Sequence, residues 1–252
     1  MRFFLTTLAI LLALLIVPPL LTAVAAGSAE HWSRARWDSA GLAPDPAATP
    51  EAVIQVYAAR SWGWRGAFGV HTWLAFKRSG APTFERYEVV GWGVGRGAPA
   101  VRQGLRVVDG YWAGNPPTLL VDRRGEGVDA LSDKVEAAIA AYPYPDVYRV
   151  WPGPNSNTFI AHIGRQVPEL GIALPALAVG KDYLGTGRVV ARTPSGTGYQ
   201  LSLFGLFGLA IGRAEGLELN LLGLTLGVDP LRPAIKLPGI GRLGVGGTYS
   251  AS

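Results

Sequence analysis

Apolar and polar positions divide the chain into four stretches. From Phe3 to Ala26 there is no charged residue, and at about 1.5 Å per residue such a run can cross a bilayer core of about 30 Å. Residues 1–26 read as an export segment, either a signal peptide cleaved near the small residues Ala23, Ala25 and Ala26 or an uncleaved transmembrane anchor. Both forms put the remainder on the outer side of the cytoplasmic membrane. Residues 27–50 are polar, with Trp32, Trp37 and Pro44-Asp45-Pro46, and suit a linker lying along the domain or near the membrane interface. His31, in that linker, fits a solvated side chain.

Residues 51–190 carry strand and helix periods in turn. Val53 to Ala58 is rich in β-branched and aromatic residues, as in a buried strand. Phe68 to Lys77 alternates, so that His71, Trp73 and Ala75 share one face and Val70, Thr72, Leu74 and Phe76 the other. Phe84 to Val90 reads as the returning strand of a hairpin, which brings Tyr87 or Glu88 towards His71. Val128, Leu131, Val135 and Ile139 recur at helical spacing, and the helix should end near Tyr142, because Pro143 and Pro145 disfavour helical backbone before them. Tyr148 to Trp151 is expected as a short strand. After Trp151-Pro152-Gly153-Pro154, the residues Asn155 and Ser156 offer an N-cap to a second helix, whose Phe159, Ile160, Ile163 and Val167 fall on one face. The Ser156 hydroxyl therefore sits at a helix N-terminus, where free N–H groups favour an anion, an oxyanion or an ionised nucleophile; capping alone would also account for Asn155 and Ser156.

From residue 191 to 252 the chain is glycine-rich. Tyr199 to Phe204 and Gly216 to Leu221 alternate like half-buried strands, with a hairpin turn near Arg213 to Gly216. Arg213, Glu215 and Glu218 interrupt the Leu-Gly run and argue against a membrane span, leaving a β-rich appendage and, after Pro238, a loose terminus.

Composition narrows the chemistry. The chain has no cysteine, which removes disulfides, thiolate metal sites and a cysteine nucleophile together. Its formal charge of +5 is dispersed among arginines, and no nucleic-acid motif is present. The glycines of Gly91-Trp92-Gly93-Val94-Gly95 recur at every second position and do not make a dinucleotide fingerprint. Gly239, Gly241 and Gly244 have the spacing without the strand and helix it requires. There is no phosphate-binding loop, no G-x-S-x-G elbow and no H-E-x-x-H pair. Neither a cofactor nor a metal is expected.

Four pieces, V-H-T-W at Val70 to Trp73, Y-E-V-V-G-W at Tyr87 to Trp92, W-P-G-P-N-S-N-T-F at Trp151 to Phe159 and G-K-D-Y at Gly180 to Tyr183, resemble the bacterial domain-of-unknown-function family 3750 over roughly Glu51 to Tyr183. More distantly, N-S-N-T-F is similar to the N-C-x-x-F helix start of permuted NlpC-type papain-like proteins, including lecithin retinol acyltransferases, in which the histidine strand also precedes the nucleophile helix. That likeness implies an α+β, permuted papain-like domain with a C-terminal β-rich appendage. It also implies Ser156 in the nucleophile's place, His71 as base, and Tyr87 or Glu88 holding the imidazole. Trp73, Trp92, Asn155, Asn157 and Thr158 would line the cleft. With serine replacing cysteine, the implied function is an envelope acyl or amide hydrolase or acyltransferase, or else a non-catalytic envelope domain binding a peptide, glycan or lipid in the same cleft. Its partners would be the membrane and a cell-wall peptide or lipid, and its place the bacterial cytoplasmic membrane facing the periplasm, or the periplasm.

Overall fold

A computed structural model describes residues 2–26 and 31–245; the first linker residues, 27–30, and the final residues, 246–252, lie outside the described residues. The fold is α+β, with two antiparallel sheets. Helix α1 (Arg2–Ala26) is the apolar N-terminal run, and among the described residues it is the one helix long and apolar enough to cross a membrane. Most of its apolar side chains are exposed, as suits either an anchor or an export signal.

The first sheet contains β1 (Val53–Arg60), β2 (Val70–Lys77), β3 (Glu85–Val89), β4 (Val101–Gln103) and β5 (Thr118–Arg124), in the spatial order β4-β3-β2-β1-β5. Both of its faces are covered. Ile54, Val56, Val70, Leu74 and Phe76 meet helices α2 (Val128–Ala140) and α3 (Ser156–Gln166) through Val135, Phe159, Ile160 and Ile163. Tyr57, Trp73 and Ala75, on the other face, are closed over by Trp37, Val108 and Trp112 from irregular segments. The linker thus packs as part of this cover, with Trp32 and Trp37 rings 4.3 Å apart. Its His31 is exposed and bonds Ser33.

Tyr148 to Trp151 forms no strand. Its backbone is used locally instead, Arg149 N–H donating to Pro154 O at 2.8 Å, while Val150 and Trp151 are exposed and offer no second edge to pair with.

The second sheet is a seven-stranded meander: β6 (Val190–Arg192), β7 (Gly198–Leu203), β8 (Phe207–Gly212), β9 (Gly216–Leu221), β10 (Leu224–Asp229), β11 (Ala234–Leu237) and β12 (Gly241–Gly244). The turn at Arg213 joins β8 to β9. The stretch from Pro238 to Gly244, expected to be loose, is ordered as the last hairpin, because β11 finds partners on both sides.

Candidate functional site

The site begins where β3 ends. Its pairing with β2 starts at Trp73↔Glu88, so the edge of β2 from Val70 to Thr72 has no β3 partner. Residues of α3 and its flank take that edge. Val70 N–H donates to Leu177 O at 3.1 Å, Asn157 Nδ2 donates to Val70 O at 3.0 Å, and Thr72 N–H reaches Ser156 Oγ at 3.5 Å. Thr72 Oγ1 also donates to Asn157 Oδ1 at 2.9 Å. The start of α3 is therefore spliced to the strand that carries His71.

The N-cap is Asn155, not Ser156. Its Oδ1 accepts the amides of Asn157 and Thr158, and Thr158 Oγ1 accepts the Asn155 N–H, completing a capping box. Asn155 Nδ2 donates to Val150 O and Val179 O. Two glycines make room for it. Gly153 has φ +130°, and a Cβ there would crowd Thr158 Oγ1; Gly180 has φ +97°, and a Cβ there would collide with the Asn155 side chain. This accounts for the glycines of both W-P-G-P-N and G-K-D-Y. With those amides engaged, Ser156 N–H has no hydrogen-bond partner among the described residues, and it remains a donor at the positive end of α3.

His71 is buried, and its Nε2 lies 2.8 Å from Glu88 Oε2. A carboxylate at that nitrogen holds the proton there and leaves the lone pair on Nδ1, which has no hydrogen-bond partner among the described residues. Trp112 stacks on the ring at 3.6 Å and fixes its plane. Glu88 is held in turn by Arg86, whose Nε lies 3.0 Å from Oε1, close enough for ion pairing though not aligned as a hydrogen bond. Arg86 lies over the Trp73 ring and donates to Val107 O. Burial pulls the His71 pKa below its ordinary value, against the opposing effect of Glu88, so the imidazole is neutral at pH 7. Burial pushes the Glu88 carboxyl up, but the His71 hydrogen bond and the Arg86 charge outweigh it and hold the group ionised.

His71 and Ser156 open onto one cavity of about 790 Å³. Its wall includes Val90 to Trp92, just beyond β3, together with Asn155, Asn157, Val179, and Leu222 and Leu224 of the second sheet. Six of the eight tryptophans border it: Trp32, Trp62, Trp64, Trp92, Trp112 and Trp151. No hydrogen bond joins His71 to Ser156 among the described residues; the Ser156 hydroxyl meets instead the amide of the residue that follows His71.

Of the residues expected at the site, His71, Glu88, Ser156, Trp92, Asn155 and Asn157 are brought together. Tyr87 is not, because it alternates with Glu88 onto the helix-facing side, where its ring stacks on Phe76 and its hydroxyl donates to Glu85. Trp73 lies wholly buried behind the wall, its Nε1 donating to Val108 O, and Thr158 faces Gly180 O as part of the cap. For Arg86 the sequence signal is its period-two relation to Glu88, which puts both on one face of β3. Trp112 and the residues of the second sheet gave no local signal.

The model of a family described as proteins of unknown function, DUF3750, matches residues 51–183. The chain belongs to this family. The DUF3750 match spans the first sheet, helices α2 and α3 and the G-K-D-Y turn, and so contains every polar group of the His71–Glu88–Arg86 array and of the α3 splice. No curated protein and no solved structure matches the chain. Among the described residues there is no group of three or more histidine, cysteine, aspartate and glutamate side chains placed to hold a metal ion.

Proposed function

We propose that this protein is a serine-dependent acyl-transfer or amide-hydrolysing enzyme of the cell envelope, with a permuted papain-like site. One observation carries the reading: a buried imidazole, oriented through Nε2 by an ionised glutamate, shares a cavity with a serine hydroxyl at a helix N-terminus. In the proposed reaction Ser156 Oγ attacks the carbonyl carbon of an ester or amide while its proton passes to His71 Nδ1. The Ser156 N–H faces the developing oxyanion. As the tetrahedral species collapses, the bond to the leaving alcohol or amine breaks and His71 returns the proton to it. Water or an acceptor hydroxyl then takes the acyl group by the same steps in reverse. Closure of the hydroxyl onto Nδ1 accompanies substrate binding, since catalytic hydrogen bonds tighten in the bound complex.

The tryptophan wall favours a second reading, in which the cavity binds a glycan, peptide or lipid without turnover. A serine-reactive fluorophosphonate separates the two. Labelling of the parent that is lost in both Ser156→Ala and His71→Ala, with folding retained, supports the enzyme. Absence of labelling in a folded parent, with both variants altering only retention of a cell-wall or lipid fraction, supports the binding domain.

A further inference from the structure

The second sheet is apolar on its outside and polar within. Along β7, β8 and β9 the exposed positions are Tyr199, Leu201, Leu203, Phe207, Leu209, Ile211, Leu217 and Leu219, while Gln200, Ser202, Glu218 and Asn220 point inward and are buried. Strand register aligns the outer residues into continuous rows. One runs Tyr199, Ile211, Leu217, Val228, Ile235, Leu243, and the next Val190, Leu201, Leu209, Leu219, ending against the buried Leu226. The inner face is held by ion pairs, with Glu218 between Lys181 at 2.6 Å and Lys236 at 2.5 Å and with Asn220 donating to Asp182. A contiguous exposed apolar face of this extent marks an interaction surface.

Two features identify what covers it. First, α1 rests on this sheet, touching β10 and β11, and Thr22 Oγ1 donates to Gly239 O in the β11–β12 turn at 3.2 Å. With α1 as an uncleaved anchor, Thr22 lies in the last turn of the candidate span Leu5–Ala25, which puts this end of the sheet at the membrane surface. Second, every acidic residue from 184 to 245, namely Glu215, Glu218 and Asp229, is buried, whereas the exposed charges of that stretch are Arg188, Arg192 and Arg213. An apolar face carrying only exposed arginines complements hydrocarbon beneath anionic headgroups. We propose that the outer face of the second sheet lies on the membrane and inserts its leucine, isoleucine and phenylalanine side chains into one leaflet.

The absence of cysteine permits single nitroxide labels. Leu209→Cys and Val228→Cys report on the face, and Ala130→Cys, on the exposed side of α2, serves as reference. The full-length protein is reconstituted in vesicles of phosphatidylethanolamine and phosphatidylglycerol, so that the N-terminal helix holds it there whether or not the face makes contact. The expected result is collision with a water-soluble nickel chelate several-fold lower at 209 and 228 than at 130, and collision with oxygen correspondingly higher. Nickel access equal to that of the reference at both sites would overturn the proposal. Protection accompanied by close dipolar coupling between labels of two copies would overturn it too, in favour of a self-associating face. Ile211→Cys reads the same surface should Leu209→Cys not fold.

Discussion

In the five-stranded sheet every residue of β2, from Val70 to Lys77, is buried, and the polar residues among them are bonded into the site or to nearby backbone. In the seven-stranded sheet β9 alternates, but glutamate and asparagine are the buried members and leucines the exposed ones. Both obey the same pleat, with opposite consequences. An alternating pattern defines two faces without saying which is inward; the neighbouring surface decides. Lys181, Asp182 and Arg165 present charge to the second sheet, so its polar face turns towards them and its apolar face away.

This contrast can be broken most severely at Glu218. Glu218→Leu strands Lys236 with only the Glu215 carbonyl and removes one of the two carboxylates at Lys181, and a loss of about 3–5 kcal/mol is expected in urea unfolding. Leu74→Ala, an ordinary core truncation of the first sheet, should cost about 2–5 kcal/mol in the same assay. Asn155→Ala removes the cap of α3 for about 0.5–2 kcal/mol. It also takes its donor from Val150 O and one of two donors from Val179 O, which keeps Asn157 Nδ2, so fluorophosphonate labelling should fall more than stability does.

Acid should weaken the first sheet in two stages. His71 has a folded pKa below its ordinary 6.5, so as pH falls below 6.5 the unfolded chain gains a proton that the folded one refuses, and stability drops. Glu88, depressed from 4.5, contributes stability above that pH which is lost as pH falls towards its folded value. Urea midpoints measured from pH 7.5 to 5 should decline less steeply in His71→Asn than in the parent. On the proposed reading, fluorophosphonate labelling of Ser156 should by the same sign persist below pH 6.5, since His71 stays neutral there. The smallest effect is expected at Leu209→Gln on the outer face: within about 0.5 kcal/mol in the absence of lipid, because the side chain is exposed there.

The sequence made the first sheet readable where apolar runs were long. β1, β2, β3, α2 and α3 all follow from periodicity, breakers and caps. β4, with three residues, and β5, whose Asp122-Arg123-Arg124 end is charged, carry too little pattern. In the second sheet, Gly208, Gly212 and Gly227 interrupt β8 and β10 and hide their alternation. At the site, the reach of His71 to Glu88 follows from hairpin register, and Ser156 at a helix start follows from the prolines before it. Of the tryptophan wall only Trp92 was expected, because the other members arrive from turns whose meeting depends on the whole fold.

The cavity draws on three stretches of the chain. His71, Glu88 and Ser156 belong to the stretch that the family model matches, residues 51–183, whereas Trp32 comes from the linker before it and Leu222 and Leu224 from a hairpin beyond it. Trp151 Nε1 bonds Leu222 O at 2.8 Å and clasps that hairpin to the W-P-G-P-N segment. The polar groups and part of the wall they face thus come from different stretches of the chain: a changed β9–β10 turn would reshape the cavity while leaving the imidazole, the carboxylate and the hydroxyl where they stand.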